Sequence, residues 1–214
     1  MRIVDMKTSD VINAVASDAP APGGGSVAAL AGSIGVALTM MVNGFTLSKP
    51  GFEESHDVIL DGIAKGSELK DRFVDMMNRD TEVFDLLIDA YALPKETEAQ
   101  KAVRRGAVQG ALHNCTEIPL VMMRICYESI DLLDTLIGRT NPNLVSDLGI
   151  AAYMLKAAME SAWLNVLINI ASLKDKEYAQ DSYDSGKRML EHAIPIVDSC
   201  CERAQRLIEE KISL

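Results

Sequence analysis

An all-α fold, a bundle of long helices, is what this sequence predicts, and three observations predict it. Apolar residues recur at i, i+3, i+4 and i+7 over stretches far longer than a strand, as in Leu69, Phe73, Met76, Met77, Val83, Phe84, Leu87 and Ile88. Aromatic residues make up only 5%, so Ala, Leu, Ile, Val and 11 Met must fill the core, which suits close helix packing better than a sheet. No segment shows strand alternation flanked by hairpin turns. With 214 residues, 48% of them hydrophobic and 24% charged, the chain reads as a single globular helical domain spanning 1–214.

Ser9 or Thr8 is placed to cap a short first helix over about 9–17. The run APAPGGG, 19–25, cannot continue it, because proline removes donors and glycine costs backbone entropy. Ser26 then opens a helix reaching about 47, and residues 19–48 carry no charge at all. This helix is long enough to span a membrane, and small residues lie four apart in it: Gly25, Ala29 and Ser33, and likewise Ala28 and Gly32. No aromatic belt or Lys/Arg cluster precedes it, and the other segments are amphipathic in the ordinary soluble manner. A helix buried at a bundle centre or a subunit interface is therefore expected, with a membrane-associated protein as the alternative.

Lys49-Pro50-Gly51 breaks the chain, and a long helix follows over about 53–91, weakened in its first half by Gly62 and Gly66 and stopped by Pro94. Thr97-Glu98-Ala99-Gln100 has the capping-box pattern. The helix it starts runs toward Ile137, kinked at Pro119, with Gly138 as its C-terminal cap. After the turn 139–143, one helix covers about 146–173 and a last one about 175–212, kinked at Pro195.

The formal net charge of −10 argues against nucleic-acid binding, which needs a basic face. Cys115, Cys126, Cys200 and Cys201 form no CxxC pair and read as reduced thiols. The start MRIVDMKTSD has no apolar signal core. Both point to a cytoplasmic protein. His56, His113 and His192 are scattered without ligand spacing, so no metal site is expected.

Three features could carry chemistry. Gly23, Gly24 and Gly25 directly precede a helix, where free N–H groups and the helix dipole favour an anion; a plain sharp turn is the alternative. On the apolar segment 143–175 the polar residues are Asn143, Ser146, Asp147, Asn165, Asn169 and Asp175, with Asn165 and Asn169 on one face. Such amides need partners, from another helix or a ligand. Asp147 also suits a plain helix N-terminus. Third, Asp80 and Asp85 precede the break at Pro94, and Lys95, Lys101, Arg104, Arg105 and Gln109 follow it, on successive antiparallel helices. They face one cleft or form a solvated charged surface.

Taken together, APAPGGGSVAALAGSIGVALTMMV, RDTEVFDLLIDAYALPKET with AVRRGAVQGA, and NLVSDLGIAA with LNVLINIASLKD resemble the cyclodeaminase/cyclohydrolase family of tetrahydrofolate enzymes. The resemblance covers essentially the whole chain. It implies an all-α homodimer that uses no metal and no tightly bound cofactor, and a cleft for a folate substrate that is often polyglutamylated. The reaction it implies is hydrolysis of methenyltetrahydrofolate to 10-formyltetrahydrofolate. Cyclodeamination of formiminotetrahydrofolate is the alternative, and a non-catalytic folate-binding protein a further one. The positions matching the family's polar signature are Gly23, Gly24, Gly25, Ser26, Lys49, Asp80, Asp85, Lys95, Arg104, Gln109, Asn143, Asp147, Asn165, Asn169 and Asp175. On motif position and charge type, Asp147 is expected to be the acid–base carboxylate, Lys95 its proton donor or electrostatic partner, and Asp80 the second carboxylate. The others are expected to bind substrate.

Overall fold

A computed structural model describes residues 2–212, and among these it contains helices, turns and loops but no strand. Six α-helices follow one another: α1 Thr8–Val15, α2 Gly24–Leu47, α3 His56–Ala92, α4 Glu98–Leu136, α5 Val145–Ala171 and α6 Lys176–Glu209. Helices α2 to α5 form a square, each packing on the next and α5 closing on α2, while α6 lies along α5 and α4. One apolar core threads these helices, with Phe73, Leu69, Met122, Met123, Leu133, Leu155 and Met159 fully buried.

Small side chains on α2 set the closest approach. A Cβ on Gly32 would lie 2.5 Å from the Phe73 ring, so the largest core side chain sits where α2 has none. Gly62 and Gly66 do not interrupt α3. They leave room for Asn43 and Met40 of α2. In its length and hydropathy α2 suits a membrane span, yet 56% of its most apolar window is buried in the bundle. Its outer side still shows Val27, Ile34, Met41 and Phe45, and neighbouring α5 shows Ile150, Tyr153, Leu164 and Ile168.

Several boundaries differ from expectation for local reasons. Neither Thr8 nor Ser9 caps α1: Lys7 occupies that position without a side-chain bond, and the Ser9 hydroxyl turns to Asp10. Helix α2 begins at Gly24, with Gly23 in the cap position. The capping box is present, with Gln100 N–H donating to Thr97 Oγ1 at 3.2 Å and Thr97 N–H to Gln100 Oε1 at 2.9 Å. Gly138 takes the left-handed conformation just past α4, at φ +89°. Helices α4 and α6 run unbroken through Pro119 and Pro195.

Ion pairs tie the helices laterally. Arg72 of α3 grips Glu128 of α4 with two bonds of 2.7 and 2.9 Å, and Lys156 of α5 meets Asp198 of α6 at 2.6 Å. Gly32→Ala should force Phe73 aside and cost about 1–3 kcal/mol. It should appear as a lower denaturant midpoint at unchanged slope, and an unchanged midpoint would contradict the packing described.

Candidate active site

The N-terminus of α2 lacks a cap of its own: no side chain of its segment bonds back, and its first turn holds no acidic residue. Asp80, from the middle of α3, supplies the missing anion. Its Oδ2 accepts the Ser26 hydroxyl at 2.8 Å. Its Oδ1 lies against Gly25 so closely that a Cβ there would sit 2.1 Å away. Free N–H groups and the positive end of the helix dipole are thus aimed at a carboxylate belonging to the protein itself. Burial raises the pKa of Asp80 above its ordinary value, while the Ser26 hydroxyl and backbone N–H pull it back down.

Beside this carboxylate is a cavity of about 290 Å³. Pro20, Ala21 and the three glycines form one side, Asp80, Val83 and Phe84 of α3 another, and Cys115 of α4 with Asn165, Ile168 and Asn169 of α5 the rest. Each amide spends one of its two N–H groups within the protein. Asn165 Nδ2 donates to the Ser161 carbonyl at 2.9 Å, and Asn169 Nδ2 to the Cys115 carbonyl at 2.6 Å. Their oxygens have no hydrogen-bond donor among the described residues. The Cys115 carbonyl is available for a specific reason. Its helical partner would be the N–H of residue 119, and residue 119 is proline. The Cys115 thiol donates to the Val83 carbonyl at 3.4 Å, and burial, with the charge of Asp80, pushes it up to about 11. It is neutral at physiological pH. The cavity therefore offers one carboxylate and two amide groups between apolar walls, each amide with an unbonded oxygen and one remaining N–H, and no Lys or Arg is among the described lining residues.

Of the residues singled out in the sequence, Gly23, Gly24, Gly25, Ser26, Asp80, Asn165 and Asn169 come together here. Others at the same end of the bundle do structural work. Gln109 clasps the loop between α5 and α6, donating to the Ser172 carbonyl at 3.2 Å and accepting from Lys174 N–H at 2.7 Å. Asp175 caps α6 by accepting Tyr178 N–H at 3.0 Å. Arg104 donates to the Tyr91 carbonyl at 3.1 Å, near the C-terminus of α3. Asp85 is exposed, and so is Lys95 in the turn before α4. Helix α3 continues about 18 Å past Asp80 before that turn begins.

Lys49, Asn143 and Asp147 lie at the opposite end of the bundle. Lys49 donates to Asn141 Oδ1 at 3.0 Å, and Asn143 N–H donates to the same oxygen at 3.1 Å. Asp147 is in the first turn of α5, about 27 Å along that helix from Asn165. Within one chain, then, the expected trio of Asp147, Lys95 and Asp80 is not assembled, and Asp80 alone of the three lines the cavity. Phe84, Ile168, Thr81 and the Cys115 carbonyl were not singled out. For the carbonyl the signal was present, because a proline inside a helix always orphans the carbonyl four residues earlier.

Comparison with known proteins agrees with this architecture. A sequence profile of the formiminotransferase-cyclodeaminase family matches residues 7–187. The chain belongs to this family. A methenyltetrahydrofolate cyclohydrolase of Methylorubrum extorquens is 34% identical over 202 residues, which cover 94% of this chain and 95% of that protein. A formimidoyltransferase-cyclodeaminase of Gallus gallus is 32% identical over 182 residues; these are 85% of this chain but only 34% of the longer animal protein. Among solved structures, a formiminotetrahydrofolate cyclodeaminase from Thermotoga maritima superposes with a TM-score of 0.82 at 25% identity, covering 96% of this chain and 97% of that one. The family fold is thus shared along nearly the whole of α1 to α6.

Pro119→Ala would restore an N–H to α4 that returns the Cys115 carbonyl to its helix and competes with Asn169 for it. One lost orienting bond is worth about 1 kcal/mol, so a ligand held by Asn169 should bind about fivefold more weakly in a protein that still folds. Unaltered affinity would show that the carbonyl does not position Asn169.

Proposed function

We propose that this chain is a methenyltetrahydrofolate cyclohydrolase, converting 5,10-methenyltetrahydrofolate and water to 10-formyltetrahydrofolate. The observation that carries the reading is the half-buried Asp80 carboxylate beside two unspent amide oxygens in a small cavity whose described lining holds no cation. The substrate's reacting unit is a cationic carbon bridging N5 and N10, which an anion and oxygen acceptors favour electrostatically. The pterin also carries several N–H donors, which Asn165 and Asn169 can accept, and its flat ring suits the Phe84 and Ile168 walls.

In this scheme Asp80 orients water and takes one of its protons as the oxygen bonds to the bridging carbon. The resulting neutral carbinol collapses: the carbon–N5 bond breaks, N5 receives the proton from Asp80, and the hydroxyl proton leaves to solvent. One proton is released overall, and water is the sole co-reactant, with no resident cofactor required. A cavity of about 290 Å³ encloses the reacting end of the folate only. The glutamate tail then runs outside it, at the end of the bundle carrying Lys95, Lys101, Arg104 and Arg105, which supply the positive charge it needs.

The identity to the Methylorubrum cyclohydrolase over nearly its full length supports this reaction over its neighbour. The second reading, formiminotetrahydrofolate cyclodeaminase, is favoured by the Thermotoga structure. It would use the same groups as N10 attacks the formimino carbon and ammonia leaves. We further propose a cytoplasmic homodimer joined through the apolar outer sides of α2 and α5, where Phe45 is 60% and Leu164 65% exposed in the single chain.

The deciding assay follows the near-ultraviolet band of methenyltetrahydrofolate: catalysed loss identifies the cyclohydrolase, and catalysed appearance from formiminotetrahydrofolate the cyclodeaminase. Asp80→Asn should lower turnover at least about a hundredfold in a folded protein. Full activity in that variant, or tight folate binding without turnover in the wild type, would overturn the assignment. Phe45→Asp should shift sedimentation from dimer to monomer, and a wild-type chain that sediments as a monomer would remove the dimer from the proposal.

A further inference from the structure

The hydroxyl of Ser26 has three oxygens within reach. It lies 2.8 Å from Asp80 Oδ2, 3.3 Å from the Met77 carbonyl and 3.3 Å from Thr81 Oγ1. A serine has one proton to give. The shortest contact is to the carboxylate, and Thr81 can donate in turn to the Ser26 oxygen, forming a chain from Thr81 through Ser26 to Asp80. Ser26 itself is buried.

Among the described residues, no cationic side chain pairs with Asp80. Helix α2 carries no charged residue from Gly24 to Leu47. Helix α5 presents Asn165 and Asn169, and α4 presents the neutral Cys115 thiol, whose own pKa the charge of Asp80 raises. On α3 the adjacent Arg79 points to Asp75 at 3.9 Å. Near the N-terminus, Arg2 is paired with Asp5 and faces Glu82. An anion in these surroundings depends on hydrogen-bond donors rather than on ion pairing.

We propose that Ser26 is a positioning residue for the base. Together with Thr81, its hydroxyl fixes one carboxylate oxygen of Asp80 against the N-terminus of α2, which keeps the group anionic and leaves the other oxygen for the attacking water. The inference rests on the assignment of Asp80 as the base. It also gives a reason for the adjoining glycine, since the carboxylate reaches Ser26 only where residue 25 has no Cβ.

The sign of the effect is fixed by which form Ser26 stabilises. Its donors lower the Asp80 pKa against burial, which raises it. Removing the hydroxyl therefore raises the value further. The base must be ionised to act, so activity is lost first at the acidic side and returns at higher pH. In Ser26→Ala the acidic limb of kcat/KM should move up by about one pH unit. The Asp80 carboxyl, followed by carbon NMR in protein labelled at aspartate, should titrate at the same raised value. Thr81→Val should move both in the same direction by less, and it decides the question if Ser26→Ala does not fold. Ser33→Ala, whose hydroxyl bonds within α2 to the Leu30 carbonyl, is the control with an unmoved profile. A Ser26→Ala enzyme slowed equally at every pH, or an unshifted carboxyl titration, would overturn the positioning role. A fully active Asp80→Asn enzyme would instead overturn the function on which it rests.

Discussion

The contact between the Asp80 carboxylate and the bare start of α2 is the constraint around which this end of the molecule is organised. It joins the first turn of one helix to the middle of another, and it can form only because residue 25 has no side chain. A helix of 24 residues without its own cap or acidic first turn is stabilised by a charge borrowed from across the bundle. The same borrowing places a partly desolvated carboxylate at the wall of a cavity. The helix start and the cavity wall therefore draw on one interaction, and neither can be altered alone.

The surroundings extend that logic. Helix α2 brings no charge, α4 brings a thiol pushed out of its ionisable range, and α5 brings amides whose nitrogens each already make one bond. Facing the cavity are the Asp80 carboxylate, the amide oxygens, and the remaining amide and helix-start N–H groups. Among the described residues no side-chain cation joins them.

Helices were legible in the sequence because their signals are local. Period, capping box and proline stops at Thr97, Gln100 and Pro94 are each written in a few adjacent residues. Half of the site was legible for a related reason: a triple glycine before a helix and two asparagines one turn apart are local patterns too. Choosing among carboxylates was not, since Asp80, Asp85 and Asp147 look alike in one dimension. What distinguishes Asp80 is the approach of α2, a contact 54 residues away in the chain. Gln109 and Asp175 show the converse case, where polar side chains in signature positions hold a loop and a helix start. The boundary of α2 was misjudged by two residues because its cap comes from elsewhere.

Pro119 has one more consequence, and it concerns how this chain can change over time. Proline is the residue that a helix interior tolerates least, so on thermodynamic grounds alone position 119 invites replacement. Yet the orphaned carbonyl it leaves at Cys115 is the anchor of Asn169. Selection for a regular helix and selection for a fixed Asn169 pull this position in opposite directions. A stabilisation campaign guided by helix propensity would choose it early and would exchange a better helix for a freer Asn169.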